Sequence, residues 1–242
     1  MYEFLKKLMN NEESTVANDV NSVHRILKTD IKKEPTTQED EIIFGCGCFW
    51  GAEKCFWKLP GVITTSVGYA GGEKNNPTYY EVCSGLTGHS EVVRVIWDKR
   101  EIDVSDLLKM FWECHDPTQK NRQGNDIGTQ YRSAIYYKNE NNIQTIFGSK
   151  EQYQTELIKK NLGLIETEIK MIDSYFYAEQ YHQQYLASAG SRQYCSASPT
   201  KVKLGVFTGS NYKLEDHIWE NFNWEVDKCV LRSDNNPIKN NI

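Results

Sequence analysis

Glu41-Ile42-Ile43-Phe44-Gly45-Cys46-Gly47-Cys48-Phe49-Trp50-Gly51-Ala52-Glu53 is the stretch from which the chain can be read outward. Ile42, Ile43 and Phe44 form a short apolar run that fits a buried strand, and Gly45 to Gly47 break it. Phe49 to Leu59 then reads as a helix stopped by Pro60-Gly61. A strand that feeds a helix through glycines places Cys48 just before the helix N-terminus. Unpaired backbone N–H groups there favour an anion, so a thiolate is favoured over the free-cysteine value near 8.5. Glycines on either side let another molecule approach the sulfur closely. Cys46, two residues earlier and nearer the strand, is expected to be buried.

Further along, Val62 to Tyr69 is a second strand closed by Gly71-Gly72, and Ser90 to Trp97 a third. Val104 to Cys114 is helical, with Asp103 as its N-cap. His115 to Gly128 is polar, holds two glycines and a proline, and reads as a loop. Tyr131 to Tyr137 returns to strand, Asn141 to Leu162 is a longer helix, Glu166 to Ile172 is another strand, and Tyr177 to Ala187 is the last helix. After Gly190 periodicity is lost, apart from apolar and aromatic islands such as Trp219, Phe222 and Trp224. Strands mixed with helices, but without strict βαβ alternation, give an α+β domain with one mixed sheet. Residues 1–40, polar and rich in Asn, Glu and Lys, read as a flexible arm, with one short amphipathic helix about Tyr2, Leu5, Leu8 and Met9. The domain is expected over residues 41–190, and a tail over 191–242.

The 242 residues suffice for one domain with a real core, and the net charge of −5 argues against nucleic acid or an anionic membrane as partner. No run approaches a membrane span, and the first 40 residues lack the apolar core of a secretory signal. A cytoplasmic protein is expected. The seven cysteines (Cys46, Cys48, Cys55, Cys83, Cys114, Cys195, Cys229) are odd in number and unevenly spaced, unlike a secreted disulfide framework. Most free thiols in a reducing compartment are small buried hydrophobes, so a reactive one must be singled out by context, and Cys48 is. A zinc site of Cys46, Cys48 and Cys55 with His89 or His115 is the competing reading, but paired C-x2-4-C spacing is missing.

A second chemical group comes from the third strand. Glu91, Val93, Val95 and Trp97 share one face at period two. A carboxyl at the edge of an apolar face is desolvated, its pKa rises, and it can act as a general acid. Pro77-Thr78-Tyr79-Tyr80-Glu81 and Gly124-Asn125-Asp126-Ile127-Gly128-Thr129-Gln130-Tyr131 are dense in polar donors beside glycine, although ordinary packing explains any single one of the 14 tyrosines.

Taken together, the chain resembles peptide methionine sulfoxide reductase A. The resemblance is carried by Gly47-Cys48-Phe49-Trp50-Gly51, Gly68-Tyr69-Ala70-Gly71-Gly72, Pro77-Thr78-Tyr79, Cys83 through Glu91, His115-Asp116-Pro117-Thr118, Arg122 through Ser133, and Tyr181-His182-Gln183-Gln184-Tyr185-Leu186. It runs from about Glu41 to Cys195. It implies a ferredoxin-like α/β sandwich with a mixed sheet and a long irregular C-terminal tail. It implies Cys48 as nucleophile, Phe49 and Trp50 as the apolar pocket for the S-methyl group, and Glu91 as the acid. Tyr79, Tyr131 and Asp126 would bind the sulfoxide oxygen or hold the network around it, and Cys195 would be the resolving cysteine. Substrates would be the S epimer of methionine sulfoxide, free or in oxidised proteins, with thioredoxin as reductant, no metal or organic cofactor, and a monomeric enzyme. The chain departs from the family around Cys195. The flanking residues are Ser191-Arg192-Gln193-Tyr194 and Ser196-Ala197-Ser198-Pro199 rather than a glycine-rich tail, and no cysteine follows until Cys229. Cys229, beside Lys228, is the candidate for a second relay thiol.

Overall fold

The computed structural model describes residues 20–226 and 229–240, with the backbone alone at Cys229. The sequence's opening strand is β1 (Glu39–Cys46), followed by helix α1 (Phe49–Trp57) and strand β2 (Val62–Ala70). A short helix α2 (Tyr79–Cys83) precedes β3 (Ser90–Asp98) and α3 (Val104–Cys114). A two-residue ladder, β4 (Arg122–Gln123) with β5 (Asp126–Ile127), interrupts the stretch expected to be loop. Then come β6 (Ser133–Tyr137), α4 (Ile143–Lys159), β7 (Glu168–Met171) and β8 (Tyr175–Tyr177).

Six strands form one mixed sheet in the order β7-β6-β1-β3-β2-β8, all neighbours antiparallel except β6 and β7. The α+β class and the mixed sheet are as the pattern of elements required. Period two sorts the side chains. Ile42, Phe44, Val93, Val95 and Trp97 enter the main core with the apolar faces of α1, α3 and α4, while Ile43 and Val92 join a small cluster on the other face. On that second face Arg94 of β3 donates to Oε2 of Glu41 at 2.5 Å and to the Lys33 carbonyl at 3.1 Å. Both partners of this ion pair are buried, and Lys138 makes a second ion pair with Glu41, at 2.8 Å through Oε1.

Two expected boundaries move. Val20, His24 and Ile31 are buried, so packed chain begins ahead of the expected domain start at Glu41; residues 1–19, including the expected amphipathic helix, lie outside the described residues. The helix expected over Tyr177 to Ala187 is instead strand β8 followed by two 3-10 turns, Gln180–His182 and Tyr185–Ala187. Its backbone is held from outside. β8 pairs with β2, and the Gln183 side chain accepts from the Val67 N–H at 3.0 Å and donates to the Val67 and Ala178 carbonyls at 2.8 Å each. Gln184 takes a left-handed conformation, φ 46°, which a continuous helix forbids.

The tail after Gly190 is irregular apart from two one-turn helices, α5 (Asp216–Trp219) and α6 (Cys229–Arg232), yet it is bound to the domain. Buried Asp106 of α3 accepts the Lys213 and Leu214 N–H groups at 3.0 and 3.2 Å, and buried Glu113 accepts that of Leu204 at 3.0 Å. Lys54 and Trp57 of α1 donate to the carbonyls of Ser233 and Asn235 at 2.7 and 3.0 Å. Asp103 caps α3 as its position predicts, accepting from the Ser105 N–H at 2.9 Å.

Candidate active site

The turn between β1 and α1 fixes the first reactive group. Gly47 has φ +87°, and a Cβ there would fall 2.5 Å from Cβ of Gln123, so only glycine fits both the backbone and the space. Cys48 follows as the N-cap of α1, half-buried. The first N–H of the helix, on Phe49, donates to Oε2 of Glu91 at 3.1 Å, and the Trp50 N–H reaches the Cys48 sulfur.

Cys48, Phe49, Trp50, Tyr79, Glu91, Asp126, Tyr131 and Tyr194 line one cleft of about 210 Å³. The residues expected for the nucleophile, the acid, the apolar pocket and the oxygen-binding network thus come together from α1, α2, β3, β5 and the 3-10 turn Thr129–Tyr131. Glu91 sits on the face shared by Val93, Val95 and Trp97, as its register predicted, and is buried. Burial and the nearby Asp126 and Glu179 carboxyls push Glu91 up to about 8 against the opposing Phe49 hydrogen bond. The carboxyl is therefore mostly protonated at neutral pH. Burial, then Glu91, also push the Tyr79 and Tyr131 phenols up, so both keep their protons. Asp126 accepts from the Tyr194 hydroxyl at 2.6 Å through Oδ1, while its buried Oδ2 has no hydrogen-bond partner.

The sulfur differs from the sequence expectation. A helix start favours the thiolate, but burial, Glu91 and Asp126 together push the Cys48 thiol well above its ordinary value, and the Trp50 N–H only partly offsets them. The helix terminus loses chiefly because the sulfur is desolvated, with the Glu91 and Asp126 carboxyls adding to the cost of a thiolate. Protonation of Glu91 removes one of the two repulsive charges, so the acid and the thiol are coupled.

Trp50 is fixed by two contacts. Its indole N–H donates to Nδ1 of His182 at 3.1 Å, and its ring stacks on Tyr185 with centroids 3.9 Å apart. The bond places the His182 proton on Nε2, which is buried without an acceptor among rings of Phe49, Tyr79 and Tyr181. Burial drives His182 down to about 3, so it stays neutral. Beneath them, Glu53 of α1 is fully buried and accepts from Thr65 Oγ1 at 3.0 Å and from the Gln184 backbone and side-chain N–H groups at 2.8 Å each. Burial raises it to about 7. Glu53 thereby anchors the turn that carries His182 and Tyr185. Sequence reasoning left Tyr194, His182, Tyr185 and Glu53 without roles. The available signals were the adjacency of Tyr194 to Cys195 and the three-residue spacing of His182 and Tyr185.

Cys195 lies outside the cleft. It is buried in a second cavity, of about 410 Å³, whose wall it shares with Cys46, Cys48, Gly51, Cys55 and Cys114. Its sulfur presses on α1, where a Cβ on Gly51 would come within 2.7 Å of it. Cys48 thus stands in both walls, between the cleft and Cys195. Cys46 is buried, as its place near the strand implied. Among the described residues, one group offers metal-ligand atoms within 4.8 Å of one another, namely Cys46, Cys114 and His115. His115 is already engaged through both ring nitrogens, to the Phe111 carbonyl at 2.7 Å and Ser133 Oγ at 2.8 Å. The side chain of Cys229 lies outside the described residues; its neighbour Val230 lines the second cavity.

Residues 40–212 match the family model described as peptide methionine sulfoxide reductase. The chain is 52% identical over 183 residues to a peptide methionine sulfoxide reductase MsrA of Vibrio vulnificus, covering 76% of this chain and 87% of that one. It is 57% identical over 164 residues to one of Azotobacter vinelandii, covering 68% and 76%. Among solved structures, methionine sulfoxide reductase A of Corynebacterium diphtheriae superposes with TM-score 0.69 at 40% identity, covering 81% of this chain and 93% of that one. Mxr1 of Saccharomyces cerevisiae in reduced form does so with TM-score 0.60 at 32% identity, covering 71% and 95%.

Proposed function

The chain belongs to the peptide methionine sulfoxide reductase family, an oxidoreductase that returns methionine sulfoxide to methionine, and on that premise we propose that Cys48 is its nucleophile and Glu91 its acid. The supporting observation is that Cys48 alone stands in the walls of both the cleft and the cavity that holds Cys195. Neutral Glu91 and the phenols of Tyr79 and Tyr131 supply protons or hydrogen bonds where the sulfoxide oxygen binds, with Asp126 holding the network through Tyr194. Phe49 and Trp50 enclose the S-methyl group.

A sulfoxide sulfur is a poor electrophile until its oxygen is protonated or strongly hydrogen-bonded. Glu91 gives its proton to that oxygen while the Cys48 sulfur attacks the sulfoxide sulfur, and the thiol proton passes to the carboxylate left on Glu91. The hydroxyl then passes from the methionine sulfur to the Cys48 sulfur as the bond between the two sulfurs breaks, so that methionine leaves and Cys48 is left as a sulfenic acid. The Cys195 thiol then attacks the Cys48 sulfur, water leaves, and a Cys48–Cys195 disulfide forms. Thioredoxin supplies the two electrons that reopen it. The catalytic unit is residues 41–190, the tail supplies Cys195, and Cys229 is a second relay thiol. The enzyme works as a monomer in the cytoplasm on the S epimer, free or in oxidised proteins; among the described residues no helix is long and apolar enough to cross a membrane. Mass spectrometry after one turnover tests this reading. A Cys48–Cys195 linkage is expected as the first disulfide to form, and a first disulfide that omits Cys48 refutes it.

A further inference from the structure

The Trp50 ring is held from a part of the chain that contributes nothing to the cleft itself. Residues 20–33 precede β1 and lie ahead of residues 40–212, the span that matches the family model. They are fastened at both ends. Toward β1, the Ile31 and Lys33 carbonyls accept from Arg94, and Thr29 Oγ1 donates to the Ile63 carbonyl at 2.7 Å. Toward the start, the segment grips the turn that carries His182 and Tyr185. The Asn21 N–H donates to Gln180 Oε1 at 2.6 Å, and the Arg25 N–H to Gln184 Oε1 at 3.3 Å. His24 stands between these contacts and is buried. Burial, then Lys28, lower it to about 3, so one ring nitrogen carries a proton and the other accepts. Nδ1 accepts from the Ile26 and Leu27 N–H groups at 3.1 and 3.0 Å, which puts the proton on Nε2. Nε2 donates to Thr65 Oγ1 at 2.9 Å, and the Thr65 hydroxyl donates to Glu53 at 3.0 Å. Both N–H groups of Gln184 meet the same carboxyl from the other side.

We propose that residues 20–33 are a clamp in which His24, acting through Thr65 and Glu53, is a positioning residue for Trp50 and so limits the size of the group that the sulfoxide sulfur can carry. The proposal rests on the assignment of Trp50 to the S-methyl pocket made above. His24 is not among the residues that line the cleft, so it acts through others. Gln184 is left-handed, φ 46°, a conformation that a residue other than glycine keeps only where its surroundings impose it. Glu53 and the Arg25 N–H impose it here. With Gln184 fixed, its neighbours His182 and Tyr185 have one arrangement, in which the first accepts the indole N–H of Trp50 and the second stacks on its ring. Loss of the link from His24 to Glu53 frees the turn, and the ring it holds can tilt. A tilted ring gives room to a larger substituent and loses contact with a methyl group. The clamp therefore supplies discrimination between substrates.

The test uses the full chain and compares kcat/KM for methionine S-sulfoxide with kcat/KM for its S-ethyl homologue. Thr65→Val removes the hydroxyl between His24 and Glu53 and keeps the shape, whereas Thr65→Ser keeps the hydroxyl. His24→Ala and Thr65→Val should each shift the ratio toward the ethyl compound by roughly two- to tenfold, the worth of one net hydrogen bond. The double variant should shift it no further than either single one, because both cut the same link. Thr65→Ser should keep the wild-type ratio. Should His24→Ala fail to fold, Thr65→Val against Thr65→Ser decides. Equal losses on both substrates, with the ratio as in wild type, would make the segment scaffold alone and overturn the proposal. Additive shifts in the double variant, or a shifted ratio in Thr65→Ser, would overturn it too. Trp50→Ala separates the two claims. If Trp50→Ala leaves the ratio unchanged, the pocket assignment is wrong; if it moves the ratio while Thr65→Val does not, the clamp alone is wrong.

Discussion

The Phe49 backbone N–H donates to Oε2 of Glu91 at 3.1 Å, which ties a buried carboxyl to the first turn of the helix that Cys48 caps. That bond holds the acid beside the sulfur, where its charge, when ionised, disfavours a thiolate.

Glu91→Gln keeps the shape and an oxygen to accept from Phe49, but has no proton to transfer. The single-turnover rate should fall roughly 100- to 10,000-fold, with substrate affinity changed little. Because Glu91 titrates at about 8 and acts in its protonated form, the wild-type chemical rate should decline as pH rises through about 8. Quench-flow over that range checks both points, and a wild-type rate that climbs there would argue for another acid.

Trp50→Ala removes the ring that stacks on Tyr185 and donates to His182. Burying one methyl-sized group is worth roughly 1 kcal/mol, and truncation also admits water, so kcat/KM on a small sulfoxide should drop by more than about fivefold. Equal kinetics for Trp50→Ala and wild type would remove Trp50 from the pocket.

Gly51→Ala places a Cβ against the Cys195 sulfur. The first methionine should still be released, since Cys48 and the cleft are untouched. Disulfide formation should slow, leaving a sulfenic acid that dimedone traps. Unimpaired cycling with thioredoxin would mean that Cys195 need not occupy its place against α1.

Stability should fall as pH rises from about 6.5 to 8. In that window the buried histidines His24, His115 and His182, lowered to about 3, 4 and 3 from 6.5, are neutral in the folded chain and largely so in the unfolded one. Glu53 and Glu91 are raised to about 7 and 8 from 4.5, so between those limits the folded chain binds more protons than the unfolded one. Their contribution is fully present below about pH 4.5 and is lost as pH rises through 7 to 8, by on the order of a few kcal/mol. Urea midpoints measured from about pH 6.5 to 8.5 should decrease, and Glu53→Gln should flatten the part near 7. A wild-type midpoint that rises over this range would contradict the burial of these carboxyls as acids.

Much of this was legible in the sequence because its signals are local. The Phe44–Gly45–Gly47 break, the Asp103 cap and the alternation from Glu91 to Trp97 each act within a few residues, and the strands and helices they predict are present. The segment from Tyr177 to Ala187 was not legible, because its conformation is dictated from afar by pairing with β2 and by Glu53 and Val67. The state of the Cys48 thiol failed for a related reason. A helix start is visible in sequence, whereas the approach of Glu91 and Asp126 belongs to the tertiary structure. Tyr194 and the gathering of Cys46, Cys55 and Cys114 likewise appear only when the tail and three elements are packed together.

Single-turnover release of methionine by Cys48→Ser tests the central claim most directly. With methionine S-sulfoxide and no recycling system, wild type should release methionine at once, whereas Cys48→Ser should release none, and Cys46→Ser, Cys55→Ser and Cys83→Ser should keep most of the wild-type burst. Methionine released by Cys48→Ser would contradict the account.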